Sequence, residues 1–499
     1  MGRIARGAGI SFFGQSVGRV SNYATQVALA WMYGPANLGL YALGITLVEI
    51  ANLLAQFGMD NGVVRYVAYY RSQNDDPRVR GTIFLAVGTP LAMSLVLTGL
   101  IFFSAGFIAD EVFDKPALAV MFKIFSISLP FYTVMNMAVY ATVGFRTVKY
   151  LIYVQQILQP LTNLLLIIVF YLLGAQILGA AAAFIASTLI GSLSALYCLR
   201  RTFPGLIDSE SPTRFEAWAL FNLSWPLIVS NFTQRINSWT ALMVLGIFAS
   251  ASAVGIYNAA ARTAMLSALV LFAFNGIFSP IISNLYGKGL LDELGQLYQD
   301  VSRWVFTGAL AVFLITMVLG KDILAVLGHE FVSGWAVLII IAGAQLFNSS
   351  VGPTQRMLAM TRHQKVLMLA TAGSAVLGVF ANFALVPLYG VLGAGVATAA
   401  AIVLMNVITL LAVWRLLGFW PYSSQYTKPI AAGVLAAAGV YLVKLILPLS
   451  SAILTVLSLT PVFLVGFVTL LLALGLSPSD RQLLAPFRAA ARRASRLRA

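Results

Sequence analysis

Two arginines, Arg19 and Arg235, each stand inside an apolar stretch long enough to cross a membrane, and 216 positions separate them. A guanidinium is a planar fork of donors that stays protonated and meets the oxygens of an anion two at a time. At the centre of a span a charged side chain costs about 2.5–3.5 kcal/mol on insertion scales, so it faces a partner or water rather than lipid. Around Arg19, the residues Gln15, Asn22 and Gln26 recur at spacings of four, three and four, which keeps all of them in one narrow stripe of a helix. The pattern returns around Arg235 as Asn231 and Ser238, with Gln234 and Asn237 alongside. Position 26 maps onto Leu242, so the second stripe is shorter. Two matching cations, each in a polar stripe at the same depth, predict a central cavity that receives something negative.

A second pair of charges lies close to the first. Glu49 falls near the middle of the second apolar stretch and Arg262 in the eighth, where the 216-residue offset maps it onto Thr46, on the same helix face as Glu49. An acid and a base on neighbouring levels of matching helices are expected to pair as a gate when the cleft closes. The alternative is static satisfaction, with Glu49 on Arg19 and Arg262 on another polar group. Lys123 and Arg356 lie within about two turns of a membrane face and are expected to snorkel. Asp60, Asn61 and Arg65, at the inner end of the second span, are read as interfacially solvated groups, with closure of the cytoplasmic side as the other reading. His329 and His363 are far apart in sequence, so no metal site is expected, and Cys198 is the only cysteine, so no internal disulfide is possible.

Positioning these residues requires a membrane-spanning scaffold, and composition demands one. With 60% hydrophobic and 9% charged residues and a mean hydropathy of +0.90, too few charges exist to cover soluble cores. A hydrocarbon core of roughly 30 Å takes about 20 residues of helix. Fourteen segments qualify: 8–32, 38–58, 81–107, 117–142, 150–173, 177–199, 218–248, 254–277, 303–319, 335–360, 367–388, 392–414, 429–447 and 453–475. The net charge of +15 follows topology rather than a nucleic-acid surface. With a cytoplasmic N-terminus the inner segments collect nearly all Lys and Arg, while the outer loops hold only Lys115 and Lys321, with Lys444 near an outer end. Both termini are therefore predicted to be cytoplasmic.

The offset that relates Arg19 to Arg235 also superimposes Gly39 on Gly255, Tyr41 on Tyr257, Arg146 on Arg362, Lys149 on Lys365 and Gly174 on Gly390 without a gap. Six spans per 216-residue unit is an even number, which makes the two halves parallel repeats. The expected fold is an all-α polytopic membrane protein of about fourteen transmembrane helices, two six-helix repeats plus a C-terminal helix pair. Its expected divisions are an N-terminal lobe (1–199), a cytoplasmic linker (200–217), a C-terminal lobe (218–415), an extra helix pair (416–476) that widens a groove or braces a lobe, and a basic tail (477–499) suited to the anionic inner leaflet. The external loops are short. A polymerase or ligase of sugar chains would need acid, base and acceptor groups there, so an enzyme is disfavoured.

The stretches Gly34-Pro35-Ala36-Asn37-Leu38-Gly39-Leu40-Tyr41 and Gly58-Met59-Asp60-Asn61-Gly62-Val63-Val64-Arg65-Tyr66 resemble the first two spans of polysaccharide and O-antigen flippases. These belong to the superfamily of multidrug, oligosaccharidyl-lipid and polysaccharide exporters. Arg362-His363-Gln364-Lys365 and the run Pro387 to Thr398 are similar to the later spans of the same family, so the likeness covers nearly the whole chain. The resemblance implies two lobes arranged as a V, alternating access, and a polyprenyl-diphosphate-linked oligosaccharide as cargo moved across the cell membrane. Arg19, Arg235 and Arg262 would then hold the diphosphate, while Gln15, Asn22, Gln26, Asn231 and Gln234 would bond sugar hydroxyls. Glu49 stands where lipid II flippases enrich arginine, which argues against a peptidoglycan precursor. No cofactor is expected, and a coupling ion is left open. The expected partners are the lipid-linked substrate, the bilayer and enzymes of glycan assembly, with no nucleic acid. A cation-coupled drug exporter of the same superfamily is the rival reading, and acidic cavity groups would favour it.

Overall fold

A computed structural model of the chain describes residues 2–208, 213–447 and 451–475; for residues 2–13 and several interior positions, Gln234 among them, only the backbone is described. Every regular element among the described residues is a helix. Helix α1 (Gly2–Gln56) is double length and breaks at Gly34 (φ 75°, ψ 179°), where the chain meets Pro35. A residue before proline avoids the helical region, and proline then starts the next helix well, so the dipeptide separates the first two predicted spans without a loop. After a turn at Phe57–Gly58 come α2 (Met59–Ser72), α3 (Asp76–Phe107), α4 (Ala117–Gly144), α5 (Lys149–Leu172) and α6 (Ile177–Thr202). The start of α3 is capped by the Asp75 carboxylate, which accepts from the Arg78 N–H, with Pro77 in the first turn.

The remaining helices are α7 (Ala217–Phe248), α8 (Ala251–Ala264), α9 (Leu269–Gly287), α10 (Leu291–Leu327), α11 (Trp335–Ser350), α12 (Thr354–Met360), α13 (Gln364–Leu417), α14 (Thr427–Ile446) and α15 (Ala452–Ala473). Helix α13 is also double length, interrupted at Gly390 (φ 55°) after Pro387. Eleven helices among the described residues are long and apolar enough to cross a membrane, α1 and α13 each counted once. The protein is thus a multi-pass, all-helical membrane protein. Two details depart from the sequence expectation. The tenth segment, 335–360, is not one helix: it breaks at Gly352–Pro353, where Gly352 (φ 71°) packs against Ser302. Between the second and third spans lies a further helix that the fourteen segments leave out, since α2 turns Met59, Gly62, Val63, Val67 and Tyr70 inward on one apolar face.

Backbone torsions echo the 216-residue offset. Arg146 (φ 60°) and Arg362 (φ 67°) both take a conformation that bulky residues rarely adopt, and Gly174 and Gly390 share positive φ at the same spacing.

Packing groups the helices into two compact units, Met1–Arg262 with Thr371–Thr398, and Thr263–Ala370 with Ala399–Ala499. This division cuts across the boundary expected from the repeat, because α7 and nearly all of α8 pack with the first six helices. Within the first unit α1 is central: 72% of its most apolar window is buried against protein, compared with 17% for Asp76–Val112, whose apolar surface therefore faces lipid. Its core joins Val63, Val67, Val79, Ile83, Met135, Met137 and Leu220. Within the second unit, α14 and α15 pack on α10 through Leu314, Tyr426, Ala432, Phe463 and Phe467, and Lys444 pairs with Asp322. The predicted basic tail lies outside the described residues.

Candidate functional site

The first unit carries a polar nest on α1, α2, α4 and α7. Its centre is Arg235 on α7, exposed and without a hydrogen bond or ion pair among the described residues. The Arg235 charge acts on Asp60 at the start of α2 and on Tyr132 and Tyr140 of α4. Glu49 of α1 accepts from Trp239 Nε1 at 2.9 Å and lies close enough to Tyr132 to act on it. One turn before Arg235, Asn231 Nδ2 donates to Asp60 Oδ2 at 3.4 Å. Asn136, close enough to Tyr132 to act on it, accepts from Gln155 Nε2 at 2.5 Å. Gln155 comes from a π-helical turn, Ile152–Leu158, in α5. The wider turn also brings the Gln156 carbonyl and amide oxygens against Gly18, where a Cβ would sit 2.6 and 2.8 Å away.

Along the first half of α1 the predicted stripe runs from surface to interior. Gln15 and Asn22 are exposed, Arg19 is half-buried, and Gln26 is 4% exposed. Neither the Oε1 nor the Nε2 of Gln26 has a hydrogen-bond partner among the described residues. A buried amide left in that state costs about 1–3 kcal/mol per unmade bond, so it suits a polar group brought to it. On α7, Asn231 and Asn237 are half-buried, and the Gln234 side chain lies outside the described residues.

The predicted Glu49–Arg262 pair is not formed here. Arg262, exposed on α8, donates from Nε to Asn258 Oδ1 at 3.1 Å and acts on Tyr41 of α1. Tyr41 is eight residues before Glu49, about 12 Å along a helix, so Arg262 stands at a different level from the acid. Sequence reasoning singled out Arg19 and Arg235 by type but not Trp239, Tyr132, Asn136 and Gln155, and it read Asp60 as an interfacial group.

The nest sits between two contacts that join α1, α2 and the start of α3 to α7–α8 and the residue capping α7. At the first, Gly39 and Gly255 cross so closely that a Cβ on Gly39 would overlap the Ala251 carbonyl oxygen, and a Cβ on Gly255 that of Pro35. Beside this crossing, Lys115 Nζ donates to Phe113 O at 2.9 Å and to Gly246 O, near the end of α7, at 2.7 Å. Burial pushes the Lys115 pKa down, and the Asp114 charge opposes it. At the second contact, Tyr66 Oη donates to Ala219 O at 3.1 Å, Arg78 Nε meets Glu216 Oε1 at 3.1 Å, and Gly58 and Gly62 let α2 approach Ser224.

Chemically, the nest offers an unpaired fork of donors, amides and phenols, which suits it to hold an anion with polar substituents.

Residues 4–286 match the family model described as polysaccharide biosynthesis protein, and residues 226–384 match the one described as MatE. A probable low-salt glycan biosynthesis flippase of Haloferax volcanii is 29% identical over 203 residues, covering 40% of this chain and 42% of that protein. A probable flippase of the same organism is 26% identical over 260 residues, half of each chain. The chain thus spans half or less of the length of these curated relatives. Among solved structures, lipid II flippase MurJ in its inward closed conformation superposes with a TM-score of 0.74 at 12% identity, over 92% of this chain and 97% of that one, which is a likeness of fold. With more than half of its length inside the first family model, the chain belongs to the polysaccharide biosynthesis protein family, within the superfamily of multidrug, oligosaccharidyl-lipid and polysaccharide exporters.

Proposed function

We propose that the protein is a flippase that carries a polyprenyl-diphosphate-linked oligosaccharide from the cytoplasmic to the outer leaflet of the cell membrane by alternating access. Arg19, Arg235 and Arg262 hold the diphosphate; Gln15, Asn22, Gln26, Asn231 and Gln234 bond the sugar. The observation that carries this reading is Arg235, a cation within a membrane helix that has no counter-ion or hydrogen-bond acceptor among the described residues. Such a group normally pairs inside the protein, and one that does not is a seat for an anion brought from outside. The unpartnered amide of Gln26 supports the sugar half of the reading. The named flippases among the relatives point to the same class of cargo.

The test is transport of a fluorescent prenyl-diphosphate oligosaccharide in reconstituted vesicles. Arg235→Ala removes one partner of a desolvated charge contact, worth about 2–5 kcal/mol, so flipping is expected to fall at least about thirtyfold while membrane insertion is kept. Wild-type rates in this variant would refute the reading. The MatE match over residues 226–384 favours a second reading, export of cationic drugs. Accumulation of a cationic dye in the same vesicles, with no movement of the glycolipid, would establish that alternative.

A further inference from the structure

Arg235 on α7 and Tyr140 on α4 are the charged and phenolic groups that interact with Asp60, and Arg235 and Tyr140 interact in turn with Tyr132 on α4, beside Glu49 on α1. From α3, neither Arg78, held by Asp75 and Glu216, nor Arg80 is among the charges acting on Asp60. Arginine stays charged and phenols ionise only near pH 10, so Asp60 is the group beside Arg235 whose protonation an arriving anion can change. The two carboxylates differ in their bonding. Glu49 accepts a well-placed bond from Trp239. Asp60 accepts one long bond from Asn231 at Oδ2, and its Oδ1 is buried with no hydrogen-bond partner among the described residues.

We propose that Asp60 is a proton-binding site linked to anion binding at Arg235, so that the protein takes up a proton at Asp60 as the diphosphate settles on Arg235. Asp60 and the incoming anion compete for one counter-charge. When the anion engages Arg235, the carboxylate loses its attraction to that cation and gains a negative neighbour, and both changes favour its neutral form. The proton, taken from solvent, turns the unpartnered Oδ1 from an acceptor into a donor, which suits the arriving anion. Burial already raises the Asp60 pKa, opposed by the nearby N–H groups of Asn61 and Asp60, which lie outside hydrogen-bond geometry, and by Arg235. By reciprocity, an acid whose pKa is higher in the bound state makes binding strengthen as pH falls below the bound-state value and level off below the free-state value.

This proposal rests on the anion-site reading above, and the experiment separates the two. Purified full-length protein in nanodiscs is titrated by calorimetry with a farnesyl-diphosphate-linked N-acetylglucosamine, a diphosphate diester that stays ionised across the range, at several pH values and in two buffers of different ionisation enthalpy. The wild type is expected to take up as much as one proton per probe in the transition window, with affinity rising up to about tenfold for each unit fall in pH. Asp60→Asn is expected to bind the probe with neither proton uptake nor pH slope, and Asp60→Glu to retain both. No proton uptake by the wild type, or the same uptake in Asp60→Asn, overturns the proposal while leaving the anion site intact. Absence of probe binding by the wild type, or binding undiminished in Arg235→Ala, removes the anion site and the linkage with it.

Discussion

The two contacts that join α1–α3 to α7–α8 are built from opposite materials. At Gly39 and Gly255 the main chains themselves touch, and Lys115 beside them is held by carbonyl oxygens. At the other, the joining groups are side chains that carry charge or exchange protons: Asp60 with Asn231, Arg78 with Glu216, and the Tyr66 hydroxyl on a carbonyl of α7. A contact between main chains depends on shape and is indifferent to salt and, below the range where lysine titrates, to pH. The polar contact responds to both. The nest around Arg235 is therefore joined to a charge-sensitive contact on one side and a steric one on the other.

That difference is open to direct attack. Gly39→Leu forces a side chain into the Ala251 carbonyl; overpacking of this kind costs about 1–3 kcal/mol or more, so transport is expected to fall about a hundredfold. In a background carrying Cys198→Ser, a cysteine introduced at Ala251 should then become reactive to an impermeant maleimide, with no change in the shape of the pH profile. Asn231→Leu leaves Asp60 Oδ2 without its donor, a loss of about 1–3 kcal/mol that should slow transport about tenfold and alter the pH profile. Lys115→Met removes two bonds to carbonyls near the glycine crossing and is expected to cost about fivefold, measured by the same maleimide labelling. Arg78→Gln breaks a partly exposed ion pair worth about 0–1 kcal/mol; less than a fivefold effect is expected, vanishing in high salt. A pH-shifted profile in Gly39→Leu, or a salt-insensitive defect in Arg78→Gln, would show that the two contacts do not divide their chemistry in this way.

Much of the scaffold was legible because the bilayer simplifies it. Apolar length alone pointed to the long helices, eleven of which among the described residues could cross a membrane, and Gly34–Pro35 and Pro387–Gly390 announced the breaks inside the two double-length helices. Gly352–Pro353 carried a similar signal inside the tenth segment, but the apolar run around it concealed the break. Helix α2 was not singled out as an element because its charges, Arg65 and Arg71, satisfy the positive-inside pattern whether or not the backbone is helical. Arg19 and Arg235 were conspicuous because a cation inside an apolar span is costly. Tyr132, Trp239 and Asn136 were not, since one phenol, indole or amide in an apolar helix has no periodicity and costs little until its neighbours are known. Asp60 and Asn231 are 171 positions apart and do not obey the repeat offset, so only packing reveals them as partners. The grouping of α7 with the first six helices was hidden for the same reason: a repeat records ancestry of sequence, whereas packing records the conformation adopted.

The glycine crossing constrains how this chain can vary. Each obstruction there is between a would-be Cβ and a carbonyl oxygen that every amino acid carries, so no exchange of the facing residue relieves it. Revertants of a Gly39 or Gly255 variant should consequently arise at distant positions that let whole helices tilt or slide apart, and selection for regained growth would map the places where this molecule bends.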